Sequence, residues 1–144
     1  MASIQGIAGQ IARIREKSNA LIDSELKQRG IKGIVPAHGP ILFFLLQQNE
    51  PVPIRAVVEK VGRAKSTVTV MVATLERHGY LRRLPCQSDN RVILIELTAA
   101  GRKLRGDFEQ ISQRLLDKLY GQMSPDARQA LVQQLTIVET NLSR

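Results

Sequence analysis

The chain has 144 residues, 43% of them hydrophobic and 3% aromatic, and its 21 Lys/Arg against 13 Asp/Glu give a formal net charge of +8 at pH 7. That length fits one domain able to bury roughly two-thirds of the surface exposed by its unfolded chain, enough for a core without staples. One cysteine, Cys86, excludes an internal disulfide framework, the N-terminus lacks a signal-peptide pattern, and the longest apolar run, Ile41 to Leu46, is far short of the ~20 residues of a membrane helix, so the expected compartment is the reducing cytoplasm, with no membrane partner.

Ile4, Ile7, Ile11 and Ile14 recur at helical spacing, and Leu21, Ile22 and Leu26 prolong the stripe, so residues 3 to 28 read as one amphipathic helix stopped by Gly30 and Gly33. Pro36 to Pro40 reads as a turn, with Pro40 in the first turn of a buried helix carrying Ile41 to Leu46 that Asn49 to Pro53 closes. Ile54, Val57, Val58 and Val61 share one helical face, Gly62-Arg63-Ala64 makes a short turn, and Lys65 to His78 forms the next helix, with Val68, Val72 and Leu75 inward and Gly79 as its stop. Tyr80 to Leu84 and Arg91 to Leu97 are rich in strand formers around a polar tip, Pro85 to Asn90, which predicts a hairpin. Thr98 caps a helix that presents Leu104, Phe108, Ile111, Leu115 and Leu119 on one side and ends near Gly121. Ser124-Pro125 then opens a last helix carrying Leu131, Leu135, Val138 and Leu142.

The charge is not spread evenly along these elements. Residues 55 to 105 hold eleven Lys/Arg and four Asp/Glu, a net of +7 out of +8, so the flanks are close to neutral. A positive field on a helix-turn-helix followed by a hairpin suits duplex DNA, because neutralising phosphates releases counterions. The second helix of such a motif reads the major groove through its N-terminal residues, here Lys65, Ser66, Thr67, Thr69 and Val70. Hydroxyls and Lys65 suit base edges or phosphates, Val70 suits a thymine methyl, small side chains at Ala73 and Thr74 permit close approach, and Arg63 and Arg77 suit phosphates. In the hairpin, Arg91 suits a narrow minor groove, with Asp89 able to hold its guanidinium. The competing readings are ordinary capping residues at the helix start and an isolated turn salt bridge.

Residues from about 35 to 105 resemble a MarR-type winged helix-turn-helix regulator. The matching stretches are Lys65-Ser66-Thr67-Val68-Thr69, Leu75-Glu76-Arg77-His78-Gly79-Tyr80-Leu81, Asp89-Asn90-Arg91 and Leu97-Thr98-Ala99-Ala100-Gly101. The resemblance implies a mainly α fold with a small β-hairpin wing, in which residues 35–105 bind DNA and residues 1–30 and 106–144 dimerise within one 144-residue domain. It also implies a homodimeric repressor on a pseudo-palindromic operator, Arg91 in the minor groove, Asp89 orienting it, and a small-molecule effector between the dimer helices and the DNA-binding lobe. Many relatives have a polar residue where this chain has Val70, so base preference does not transfer.

Three terminal helices are too much for a small central unit to cover, so Ile7, Ile11, Leu131, Leu135 and Val138 are expected in an isologous dimer interface, which supplies an operator's two-fold axis. His38 is either a hydrogen-bonded structural residue or a pocket-lining one, and His78 belongs to a helix C-terminus. Cys86 is either an incidental thiol or a redox switch activated by Arg82 and Arg83. No metal, cofactor or catalytic constellation is expected: two histidines and one cysteine form no ligand cluster, and there is no phosphate-cradling glycine loop or nucleophile elbow. The competing function is a winged-helix protein-interaction module, since that fold docks proteins as well as DNA.

Overall fold

The computed structural model describes residues 3–144; residues 1 and 2, included above in the N-terminal dimerisation region, lie outside the described residues. A 3-10 turn, Ile4–Gly6, leads into α1 (Ile7–Gln28). A second 3-10 turn, Pro36–His38, leads into α2 (Gly39–Leu46), and β1 (Val52–Pro53) precedes α3 (Ile54–Val61) and α4 (Lys65–Arg77). The chain continues through β2 (Leu81–Pro85), β3 (Ile93–Leu97), α5 (Ala99–Arg102), α6 (Arg105–Tyr120) and α7 (Pro125–Leu142). The described residues group into two compact units, one ending at Ile111 and the other running Ser112–Arg144.

The core of the first unit follows from the helical periodicity. In α2 an unbroken apolar run buries Ile41, Leu42, Leu45 and Leu46; α3 contributes Val57, and α4 contributes Val68, Val72 and Leu75 at spacings of four and three. Leu81, Ile95 and Leu97 add the buried positions of the hairpin, and the Phe43 and Phe108 rings meet in a tilted pair with centroids 5.7 Å apart. An ionic anchor ties α1 to the start of α6: Arg29 donates to Asp107 (2.9 Å) and Gln110 (2.7 Å), with Glu25 3.5 Å away.

Three features differ from the sequence reading. Val52 and Pro53, read as the close of the preceding helix, form a short strand paired with Ile95 and Leu94, so the hairpin becomes a three-stranded sheet of order β1-β3-β2. Proline occupies an edge strand there, where its missing N–H costs no ladder bond. The wing tip is longer than expected, because Val92 N–H donates to Asp89 (3.1 Å) and Cys86 N–H to Val92 (3.3 Å), delaying the second strand to Ile93.

The helix expected from Thr98 to Gly121 is broken. Thr98 caps α5 by accepting from Gly101 N–H (3.2 Å) while donating to the Gly79 carbonyl (2.5 Å), and Leu104 N–H then bonds to Gly101, a tighter step that ends α5 before α6 begins. Gly101 is required at this corner, since a Cβ there would overlap the Tyr80 carbonyl. Leu115 and Leu119, placed above on the same side of the helix as Phe108, belong to the second unit, where Leu115 is half-buried and Leu119 exposed.

Candidate nucleic-acid interface

The turn between α3 and α4 depends on Gly62, whose φ of 70° lies in the left-handed region and lets its N–H close α3 on the Val58 carbonyl (3.0 Å). Ala64 then precedes α4 without a side-chain cap, and the first helical bond is Val68 N–H to Ala64, so the N–H groups of Lys65, Ser66 and Thr67 have no partner within the helix. Uncapped donors at the positive end of a helix dipole, flanked by Arg63 and Lys65, favour an anion.

Arg63, Lys65, Ser66, Val70 and Arg77 are exposed, whereas Thr67, Thr69 and Thr74 are half-buried. Val70 is 66% exposed, an apolar side chain that burial in this chain does not explain. Two hydroxyls are committed to the helix itself: Thr69 Oγ1 donates to the Lys65 carbonyl (2.8 Å), and Thr74 Oγ1 donates to the Val70 carbonyl (3.1 Å) while accepting from Arg77 (3.4 Å). With their protons engaged, these threonines offer acceptors and methyl groups outward, narrower chemistry than the sequence suggested.

At the wing tip Asp89 grips Arg91 three times. Its carboxylate accepts from the Arg91 backbone N–H (3.0 Å), from Nε (3.1 Å) and from Nη2 (3.3 Å), yet the Arg91 side chain remains 90% exposed. Hydrogen bonds from Arg91 hold the Asp89 carboxyl below the ordinary aspartate range, and the charge of Arg55 adds to the effect. Arg55 counted towards the positive field in the sequence but was not placed in the site.

The other wing arginines are occupied. Arg82 Nε donates to Glu96 (2.7 Å) directly across the β2–β3 ladder, and Arg83 pairs with Glu76 of α4 (3.3 Å). They are therefore not what tunes Cys86. Its thiol is lowered chiefly by the hydrogen bond with Ser88, Sγ to Oγ 3.3 Å, which corrects the cause anticipated from sequence.

His38 is buried and accepts the Val35 N–H at Nδ1 (3.1 Å), the structural role that was one of its two readings, and His78 caps α4 with Nδ1 2.9 Å from the Thr74 carbonyl. Burial, then the charge of His78, lowers the His38 pKa below 6.5. A histidine depressed in the folded state takes up its proton first in the unfolded chain, so stability is complete above pH ~6.5 and declines as pH falls towards the folded value. Urea titrations are expected to show this loss at no more than about 1.4 kcal/mol per pH unit, and His38→Asn is expected to remove that component.

Of the residues expected at a dimer interface, Ile7, Ile11, Leu131 and Leu135 are exposed and Val138 is half-buried. α7 buries no residue at all and also leaves Val132, Ile137 and Leu142 open. Among the described residues no three His, Cys, Asp or Glu side chains gather where they could hold a metal ion, and no helix is long and apolar enough to cross a membrane.

Comparison with known proteins agrees with this architecture. Residues 41–93 match the family model of the MarR family. A curated relative, the uncharacterized HTH-type transcriptional regulator YfiV of Bacillus subtilis (strain 168), is 28% identical over 102 residues; the match takes in 70% of this chain and 63% of the relative's length. The MepR–DNA complex of S. aureus superposes with a TM-score of 0.81 at 22% identity, over 98% of this chain and 99% of that one. BpsR of Bordetella bronchiseptica, described with regulation of its DNA binding by 6-hydroxynicotinic acid, superposes with a TM-score of 0.78 at 17% identity, over 96% of this chain and 97% of that one.

Proposed function

We propose that the chain is a member of the MarR family, whose model its residues 41–93 match, and that it is a non-catalytic, sequence-specific DNA-binding regulator, a homodimeric repressor acting on a pseudo-palindromic operator in the cytoplasm. The observation that carries the reading is the pairing of two presenting devices: a helix whose uncapped start is flanked by Arg63 and Lys65, and a wing arginine clamped by Asp89 yet open to solvent. In this reading Lys65, Ser66, Thr67, Thr69 and Val70 meet the major groove, and Thr74 lines the helix face behind them. Arg63 and Arg77 take phosphates, and Arg91 enters the minor groove with Asp89 orienting it.

Residues 35–105 form the DNA-binding lobe, and residues 1–30 and 106–144 dimerise through Ile7, Ile11, Leu131, Leu135 and Val138. The exposed apolar side chains on α1 (Ile7, Ile11, Ile14) and, separately, on α7 (Leu131, Leu135, Ile137) support this, since a row of exposed apolar residues along a helix marks an interaction face. Likeness to BpsR supports a small-molecule effector that releases the operator.

A salt titration tests the reading against protein docking. Binding of the dimer to duplex DNA is expected to fall by roughly a thousandfold between ~50 and ~200 mM salt, as it does when six or more phosphates are neutralised. A response of less than about threefold over that range would sink the DNA reading and favour a protein-interaction module.

A further inference from the structure

Glu76 occupies a position where helix electrostatics disfavour an acid. It lies in the last turn of α4, one residue before Arg77 ends the helix, where the dipole is negative and a basic residue is the favourable choice. It also carries a negative charge beside a surface read as facing phosphates. A residue that breaks a local rule in this way is held by contacts made elsewhere.

Its carboxylate reaches across the turn to the wing. One oxygen accepts the Arg83 backbone N–H (3.3 Å) and the other meets the Arg83 Nε (3.3 Å), so both oxygens are engaged by one residue of β2. The sheet order β1-β3-β2 makes β2 an edge strand, whose outward N–H groups have no neighbouring strand to pair with. The root of the hairpin is fixed by buried Leu81 and by Thr98, which bonds to the Gly79 and Tyr80 carbonyls (2.5 and 3.0 Å). Among the described residues the Glu76–Arg83 fork is the outermost hydrogen bond between α4 and the hairpin. Arg82–Glu96, one ladder position nearer the root, braces β2 against β3, and beyond the fork no hydrogen bond among the described residues ties the wing to α4.

We infer that Glu76 is a positioning residue that locks the wing to the recognition helix through Arg83, setting the reach from the major-groove residues of α4 to Arg91. The inference rests on the DNA-binding reading. Both partners are about four-tenths exposed, so the fork contributes little to stability and its effect lies in geometry. It also removes Arg83 from the set of free DNA-contacting cations.

Simple electrostatics and positioning predict opposite signs for Glu76→Ala. Deleting an acid near phosphates strengthens binding, whereas releasing the wing weakens specific binding and makes Arg91 ineffective. The test is a double-mutant cycle on a selected operator duplex, with Glu76→Ala, Arg91→Ala and the pair, and with Glu76→Gln, which keeps an acceptor for the Arg83 N–H but not the ion pair. Arg91→Ala is expected to cost roughly tenfold or more in the wild-type background and less than about threefold beside Glu76→Ala, with Glu76→Gln intermediate. Amide exchange at Arg83, followed by NMR, is expected to quicken in Glu76→Ala while Leu81 stays protected. An Arg91→Ala cost that is the same in both backgrounds, a gain in affinity for Glu76→Ala, or an Arg83 amide equally protected in both proteins overturns the inference. Wild-type protein that selects no duplex overturns the DNA-binding reading and the positioning role with it, whereas a failed cycle on a bound operator overturns the positioning role alone.

Discussion

Leu135→Asp is expected to convert the dimer to monomer and to reduce operator binding to that of a single lobe. Leu135 lies on α7, is 50% exposed in the isolated chain and is not part of the buried core, so the substitution costs the fold little beside what it costs the interface. In an isologous interface each substitution acts twice, once from each protomer. Truncating a central apolar anchor costs about 2–4 kcal/mol, and a buried carboxylate at least as much, so the paired effect is about 4–8 kcal/mol and dimerisation weakens by roughly a thousandfold or more. Ile11→Asp on α1, 42% exposed, carries the same expectation from the other terminal region. Sedimentation velocity reads the mass directly, with circular dichroism as the control for folding. An unaltered dimer in both variants would remove α1 and α7 from the interface.

The second large effect is expected from Arg91→Ala. The side chain is fully presented at the wing tip and makes no contact that stabilises the core, so its loss acts on DNA binding alone. Affinity for the operator is expected to fall roughly ten- to a hundredfold, and the salt dependence to lose about one counterion for each protomer. Arg91→Lys keeps the charge but not the planar fork that Asp89 engages at Nε and Nη2, so it restores the salt slope more than the affinity. Asp89→Asn separates orientation from charge: removing an acid beside DNA raises affinity by electrostatics, whereas loss of the grip on Arg91 lowers it. Fluorescence anisotropy on an operator duplex decides. An Arg91→Ala protein within about twofold of wild type would leave the wing outside the recognition surface.

Much of the architecture was legible because it is local. The apolar spacing in α4, with Val68, Val72 and Leu75 inward, fixes which face looks outward, and Asp89 and Arg91 stand close enough in sequence for their ion pair to be anticipated. What escaped depends on contacts between distant residues. β1 is two residues long and its last residue is a proline, so nothing in its composition announces a strand; it exists because Ile95 and Leu94 of β3 offer it partners. The break between α5 and α6 is made by a single tighter step, Leu104 N–H to the Gly101 carbonyl, which helical periodicity does not reveal. Thr69 looked like a free hydroxyl, but its proton is held by the Lys65 carbonyl one turn back. Glu76 could have been suspected from sequence, as an acid at the wrong end of a helix inside a basic segment, although its partner Arg83 emerges only once the wing is folded.

The most direct test of a two-fold, groove-reading regulator is selection of bound sequences from a random duplex pool, with the stoichiometry of the enriched complex measured alongside. The expected product is a pseudo-palindrome whose half-site centres lie roughly 34–36 Å apart, one helical turn, bound by two copies of the chain. Enrichment of an isolated half-site held by one chain, or no enrichment at all, would contradict it.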